Sequence, residues 1–326
     1  MNKLSFANHS RSFANYTYVY PVVSRRSQGI SLGINLNINN ACNWRCVYCQ
    51  VDDLIRGKPI DIDLVKLEQE LDSMLDAIIN GDLLTQLAPE GLQRFNDISL
   101  SGNGEPTLSK QFVDVIQIIA KLRQKYQLDT QETISNEMLQ SSNDKETVIA
   151  SKHKIAGQSS KPITKDNHDV ENLKTKAGIK TILITNGSEI DNPHIVPGLK
   201  LLSTLNGEIW FKIDSVIPES IDKINQVHLS LEGIRKRLLV ACGNCKTYIQ
   251  TCWFKTNNQD PTPDEITSYI DFIASVKEHI AGVLMYSTAR NPALPEGRNI
   301  SSVSEEFLAN IASQLEKHNI SVKYYQ

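Results

Sequence analysis

The sequence has no run of eighteen apolar residues, so nothing in it could cross a bilayer as a helix. It also lacks a basic excess. Lys and Arg number 34 against 37 Asp and Glu, a formal net charge of −3, which argues against a surface built to track a nucleic-acid backbone, although a local basic strip stays open. Met1 to Asn15 is polar and holds no apolar stretch of the kind a secretory signal needs, so the cytoplasm is the expected compartment and no membrane partner is expected. Cysteine is sparse, with six. In a reducing compartment those thiols read as ligands, reactive groups or small buried side chains before they read as disulfides.

With 326 residues, 40% hydrophobic and 22% charged, the chain can bury the core of one large α/β domain or two small ones. Short β-rich runs alternate with amphipathic helical runs, the pattern of parallel βα units. The expected strands are Ile30 to Ile38, Asp97 to Ser101, Lys180 to Thr185, Glu208 to Ile213, Thr247 to Phe254 and Gly282 to Ser287. Leu64, Leu67, Leu71, Met74, Leu75 and Ile78 recur at helical spacing behind an Asp61 or Asp63 N-cap, and Phe112, Val115, Ile116, Ile119 and Leu122 mark a second helix. Pro263 to His279 and Ser304 to Lys317 are helical as well. Six such units are too few for a closed eight-stranded barrel and predict an α/β fold of the open, partial (βα)6 type.

Gln127 to Lys176 breaks the pattern. It is rich in Ser, Thr, Asn, Asp, Lys and Gln, has no aromatic residue, and cannot bury enough apolar area to offset the entropy of ordering it. We expect a disordered insertion at 127–176, either a tolerated surface loop or a docking segment, inside a barrel domain covering 30–326 and preceded by an N-terminal extension, 1–29.

Three of the six cysteines fall within Cys42-Asn43-Trp44-Arg45-Cys46-Val47-Tyr48-Cys49, directly after the first expected strand. Thiolates that close can converge on one soft metal centre. Three ligands leave a four-iron cubane with one iron free of protein ligands. Zinc normally takes four, and no His lies near the triplet. Trp44 reads as a packing residue of the loop, whereas Tyr48, directly before the last cysteine, could flank a bound ring.

Cys-x3-Cys-x2-Cys with an aromatic before the third cysteine resembles the signature of the radical S-adenosylmethionine (SAM) superfamily. Within it, Tyr20-Pro21-Val22-Val23-Ser24-Arg25-Arg26, Ser31-Leu32-Gly33-Ile34-Asn35 and Ser101-Gly102-Asn103-Gly104-Glu105-Pro106-Thr107 are similar to the Fe-S oxidoreductase group related to the wyosine-base tRNA-modifying enzymes. The resemblance runs from about Tyr18 to Pro292, omitting the insertion. It implies a partial (βα)6 radical SAM barrel in which Cys42, Cys46 and Cys49 hold a [4Fe-4S] cluster. It also implies that SAM binds the fourth iron and is cleaved reductively to a 5′-deoxyadenosyl radical, with electrons from an external flavodoxin- or ferredoxin-like donor.

The same resemblance makes Tyr48 a neighbour of the SAM adenine and Gly104-Glu105-Pro106 the turn that receives the SAM amino group. Asn186, Lys212 and Asp214, at the ends of later strands, become candidates for the ribose and carboxylate. Each has a structural alternative: an ordinary strand-to-helix turn for Glu105, an Asn-Gly turn for Asn186, and an ion pair for Lys212 with Asp214, whose side chains share one face of their strand. Arg25 and Arg26 could bind an anionic group or simply be solvated, and Arg290, after the last strand, is similar in position to a residue near the substrate side in the subgroup. Cys242, Cys245 and Cys252 could hold a second metal, but no fourth ligand is near, and a dithiol or plain structural thiols fit the pattern better. The substrate is not legible. The subgroup points to a tRNA base, with a partner-protein activase and a non-catalytic iron-sulfur redox module as rivals.

Overall fold

The computed structural model describes residues 4, 13–24, 29–129 and 178–326. The expected insertion, from residue 130 onward, lies outside them. The sheet runs β1 (Val19–Ser24), β2 (Gly29–Ile34), β5 (Phe95–Leu100), β6 (Lys180–Thr185), β7 (Gly207–Lys212), β8 (Thr247–Thr256), β9 (Gly282–Ser287) and β11 (Val322–Tyr325). From β2 to β9 the six strands are parallel, β11 adds a further parallel strand at one edge, and β1 pairs antiparallel with β2 at the other. A short β10 (Ile300–Ser302) pairs antiparallel with β8, and the two-residue strands β3 (Ala41–Cys42) and β4 (Ile55–Arg56) form a separate pair. These six parallel strands are the ones the periodicity predicts. Val19 to Ser24, by contrast, lies in the sheet, ahead of the boundary expected at residue 30. Pro21 sits there without loss because an edge strand has no second ladder to donate to.

Helices α1 (Leu64–Ile79), α2 (Leu83–Leu87), α3 (Phe112–Lys125), α4 (Val196–Ser203), α5 (Pro218–Asn225), α6 (Leu231–Asn244), α7 (Pro263–Val276) and α8 (Glu305–Glu316) complete the described elements. The Asp63 side chain accepts from Lys66 N and caps α1, while Leu67, Leu71, Met74, Leu75 and Ile78 face the core. Phe112, Val115, Ile116 and Ile119 of α3 are fully buried against the outer face of the sheet, each contributing about 1.5–3 kcal/mol by transfer from water. The other face curls round a cavity lined from every strand between β1 and β11 in the sheet order. First strand and cysteine loop part company at Asn35, four residues earlier than expected, because its Oδ1 accepts from Asn37 N and Asn103 N and turns the chain.

The edge strand is tied to α1 by one carboxylate. Glu70 is buried, and its two oxygens accept from Thr17 N, Tyr18 N and Val19 N at 2.8, 2.8 and 3.3 Å. Glu70→Ala would strand those donors, and denaturant titration should show a loss of about 1–3 kcal/mol. An unchanged midpoint would mean that β1 is held by its ladder alone.

Candidate active site

The loop from Cys42 to Cys49 has little regular structure, and its shape is imposed by neighbours. Asn37 Nδ2 donates to Ala41 O and Glu105 O at 2.9 and 3.2 Å, fixing the entry to the loop. Beyond Cys42, the end of α5 takes hold: Arg45 N donates to Asn225 O at 3.1 Å and Val47 N to Ile224 O at 2.8 Å. A turn, Cys49 N to Cys46 O at 2.9 Å, brings the last two cysteines together, and Ala293 N donates to Cys49 O at 2.8 Å from the far side. All three thiols line one cavity of about 330 Å³. Burial pushes Cys42 up to about 12 and Cys46 up to about 11, and the carboxylates of Glu105 and Asp214 respectively reinforce the shift, so thiolates here call for a bound cation.

Among the described residues, no three His, Cys, Asp or Glu side chains group closely enough to hold a single metal ion. A cluster does not require such a group, because its thiolates bind separate iron corners and sit farther apart than ligands sharing one ion. Three sulfurs facing one cavity, with the glycine turn opposite, are a donor set that fits a [4Fe-4S] cluster with one iron left for SAM. Cys242 and Cys245 lie at the end of α6, away from the cavity, while Cys252 faces into it from β8. The second trio is therefore not assembled.

Gly102 to Pro106 follows β5 and presses against the cysteine loop. A Cβ on Gly104 would stand 2.0 Å from Ala41 O, so only glycine allows this approach. The Glu105 carboxylate is buried and already held. Its Oε1 accepts from Thr107 N, Thr107 Oγ1 and Thr185 Oγ1 at 3.1, 2.6 and 2.7 Å, and Oε2 from Asn186 N at 2.6 Å. Burial raises its pKa even so, and among the described residues no cation pairs with it. The Asn186 amide donates to Asn43 Oδ1 and accepts from Ser188 N, both at 2.9 Å, so it joins its own Asx-turn to the cysteine loop.

Lys212 and Asp214 are a buried pair, Nζ to Oδ1 3.5 Å, and Lys212 also donates to Tyr286 Oη at 2.9 Å. Burial opposes the Lys212 charge, but Asp214 together with Tyr286 and Cys252 outweighs it, so the amine is held protonated. Tyr48 Oη donates to Asp214 Oδ2 at 2.5 Å, while its ring lies 4.9 Å from Lys212 Nζ and against Phe254. Of these, Tyr48 and Lys212 line the cavity and Asp214 stands behind them. Trp44 and Arg290 line it too; Arg25 and Arg26 lie outside the described residues.

Sequence reading missed the inner wall. Ser31, Ser99 and Ser101 form a row of hydroxyls ending on the Asp97 carboxylate, with the Tyr20 hydroxyl donating to Ser101 O at 2.7 Å. Across the lumen, Gln250 on β8 faces the cavity fully buried, and its Nε2 finds no hydrogen-bond partner among the described residues. Ile182, Trp210 and Leu284 pack below. The alternation Tyr248, Gln250, Cys252, Phe254 was the available signal for Gln250, a polar residue on the inward face of a strand. Gly104→Ala should cost about 1–3 kcal/mol by forcing the two loops apart, whereas Gly243→Ala, which meets nothing within 4 Å, should be neutral or mildly stabilising. Equal effects in chemical denaturation would contradict the close approach at Gly104.

No family model matches the sequence. A UPF0026 protein of Helicobacter pylori strain J99 is 24% identical over 231 residues, 68% of this chain and 53% of the relative. A UPF0026 protein of Synechocystis sp. is 32% identical over 111 residues, 34% of this chain and 37% of the relative. The chain thus matches about half the length of the first relative and less of the second. Among solved structures, a radical SAM methyltransferase from Sphaerobacter thermophilus aligns with a TM-score of 0.53 at 9% identity, over 94% of this chain and 69% of that one. TYW1 with a lysine-pyruvate adduct bound aligns with a TM-score of 0.51 at 14% identity, over 88% and 73%. A third, anSMEcpe with AdoMet bound, gives 0.50 at 16%, over 89% and 62%. At these identities the likeness is one of fold, and the fold is that of radical SAM proteins. The chain shares that fold and carries its Cys-x3-Cys-x2-Cys loop at the mouth of the half-barrel.

Proposed function

We propose that the chain is a radical SAM enzyme whose substrate enters the half-barrel lumen. The observation that carries this is convergence: Cys42, Cys46, Cys49, Glu105, Asn186 and Lys212, from four separate strand ends, all line one cavity. Cys42, Cys46 and Cys49 would hold a [4Fe-4S] cluster, and SAM would lie between it and the Gly102–Pro106 turn. When bound, the cluster passes one electron from an external flavodoxin- or ferredoxin-like donor to SAM, giving methionine and a 5′-deoxyadenosyl radical that takes a hydrogen atom from the substrate.

The chain's own residues orient and protect. Glu105 Oε2, with one donor of its own, is placed to accept from the SAM ammonium, and that cation would supply the charge partner the buried carboxylate lacks. Lys212, kept protonated by Asp214, serves as a fixed cation for a carboxylate and not as a free amine nucleophile. Asn186 keeps the turn after β6 against the cysteine loop. Residues 30–326 then act as one catalytic domain interrupted at 127–176, with β1 closing the sheet in front.

For the substrate, a tRNA base is favoured by the unpaired Gln250 amide, a donor of the kind that reads a base edge, in a lumen where Trp210 supplies an aromatic wall. A second reading, a peptide or partner protein, draws on the likeness to anSMEcpe, solved with a peptide bound.

Anaerobic reconstitution with dithionite and SAM should yield 5′-deoxyadenosine, and bulk tRNA should raise the yield in a manner that raised salt suppresses. No 5′-deoxyadenosine under any condition would end the enzymatic reading. Cys46→Ala should abolish the broad visible absorption of the cluster, and retention of full iron would refute that ligand. Glu105→Gln should weaken SAM binding about tenfold or more with iron content unchanged, as for loss of one charge-assisted hydrogen bond. Unaltered affinity would remove Glu105 from the SAM site.

A further inference from the structure

Asn225, the last residue of α5, belongs to no motif, yet it holds the cysteine loop through both its backbone and its side chain. Its carbonyl accepts from Arg45 N at 3.1 Å. Its side chain is buried, and Nδ2 donates to Cys46 Sγ at 3.3 Å and to Asp214 Oδ2 at 2.9 Å. Sulfur and carboxylate are both acceptors, which fixes the orientation of the amide: the nitrogen must face them. That carboxylate also takes the Tyr48 hydroxyl on Oδ2 and Cys252 N on Oδ1, and its ion-pair partner is Lys212. A single primary amide therefore bridges the middle cysteine of the loop to the buried charge pair behind the proposed SAM pocket.

A hydrogen bond to a cluster thiolate stabilises the reduced state more than the oxidised one, because reduction adds negative charge that is shared with the sulfurs. Donors to the sulfurs therefore raise the reduction potential, and burial strengthens the effect. Without the amide, Cys46 Sγ would also face Asp214 with no donor between them, which disfavours reduction further.

We propose that Asn225 is a positioning residue that sets the reduction potential of the cluster through Cys46 and links it to the Asp214 charge network. This rests on the reading of Cys46 as a cluster ligand. Asn225→Leu and Asn225→Ala both remove the donor, and Ile221→Val, a core position on the same helix, is the control. Iron content, visible absorption and a potentiometric titration followed by EPR would be recorded on each reconstituted full-length protein.

Both Asn225 variants should load iron and be about tenfold harder to reduce, ~59 mV more negative for a one-electron couple, while Ile221→Val titrates with the wild type. A midpoint unchanged in whichever Asn225 variant loads iron, or an equal shift in Ile221→Val, would overturn the inference and leave the cluster assignment standing. Failure of both Asn225 variants to load iron while Ile221→Val loads it would overturn it as well, making Asn225 a residue of loop integrity. Failure of the wild type itself to bind iron would instead remove the reading on which it rests.

Discussion

The cysteine loop cannot hold its own shape, and the rest of the site depends on its being pinned from outside. Between Cys42 and Cys49 one backbone turn, Cys49 N to Cys46 O, ties the loop to itself. Much of its anchorage comes from outside: Asn37 at the entry, the Gly102–Glu105 turn pressed against Ala41, the Asn186 amide on Asn43, the carbonyl end of α5 on Arg45 and Val47, and Ala293 on Cys49. These contacts come from β2, β5, β6, α5 and the segment after β9, so only the assembled half-barrel can present three thiols to one cavity. An irregular loop fixed by a rigid scaffold is a common way to place chemistry with precision.

The same contacts explain why polar groups gather at one rim. Parallel strands end together, and each is followed by a turn that must satisfy its own backbone groups. Here those turns satisfy one another. Glu105, at the end of β5, takes up Thr185 and Asn186 at the end of β6; Asp214, after β7, takes up Tyr48 from the cysteine loop and Cys252 on β8. The buried charges are thereby oriented before any ligand arrives, while Gln250, a lining residue of the cavity, keeps an Nε2 donor without a partner among the described residues.

Much of this could be read from the chain alone. The alternation of β and α periodicity located the six parallel strands and the apolar faces of α1 and α3, and narrowed the α1 cap to Asp61 or Asp63, of which Asp63 is the one used. Spacing of the cysteines singled out the loop. Edge strands escaped for different reasons: β11 has only four residues, and β1, as long as most strands of the sheet, owes its place to Glu70 on a distant helix. At the site, Tyr48, Glu105, Asn186 and Lys212 were singled out because they sit beside motifs, and they line one cavity, with Asp214 behind them. Their protein partners were not legible: Glu105, read as a residue for the SAM amino group or an ordinary turn, also binds Thr107, Thr185 and Asn186. Asn225 and Gln250 were missed for a similar reason: one lies far along the chain from Cys46, and the other is a polar residue in an ordinary strand, and only tertiary contact gives either of them a role.

The central claim is an iron that the protein leaves without a ligand and that SAM completes. The EPR spectrum of the anaerobically reduced, reconstituted protein, recorded with and without SAM, tests it most directly. A [4Fe-4S] signal whose g values change on adding SAM is the predicted result, because a new ligand then reaches the open iron. A signal identical in both samples would mean a cluster already fully coordinated by the protein, and would contradict the account.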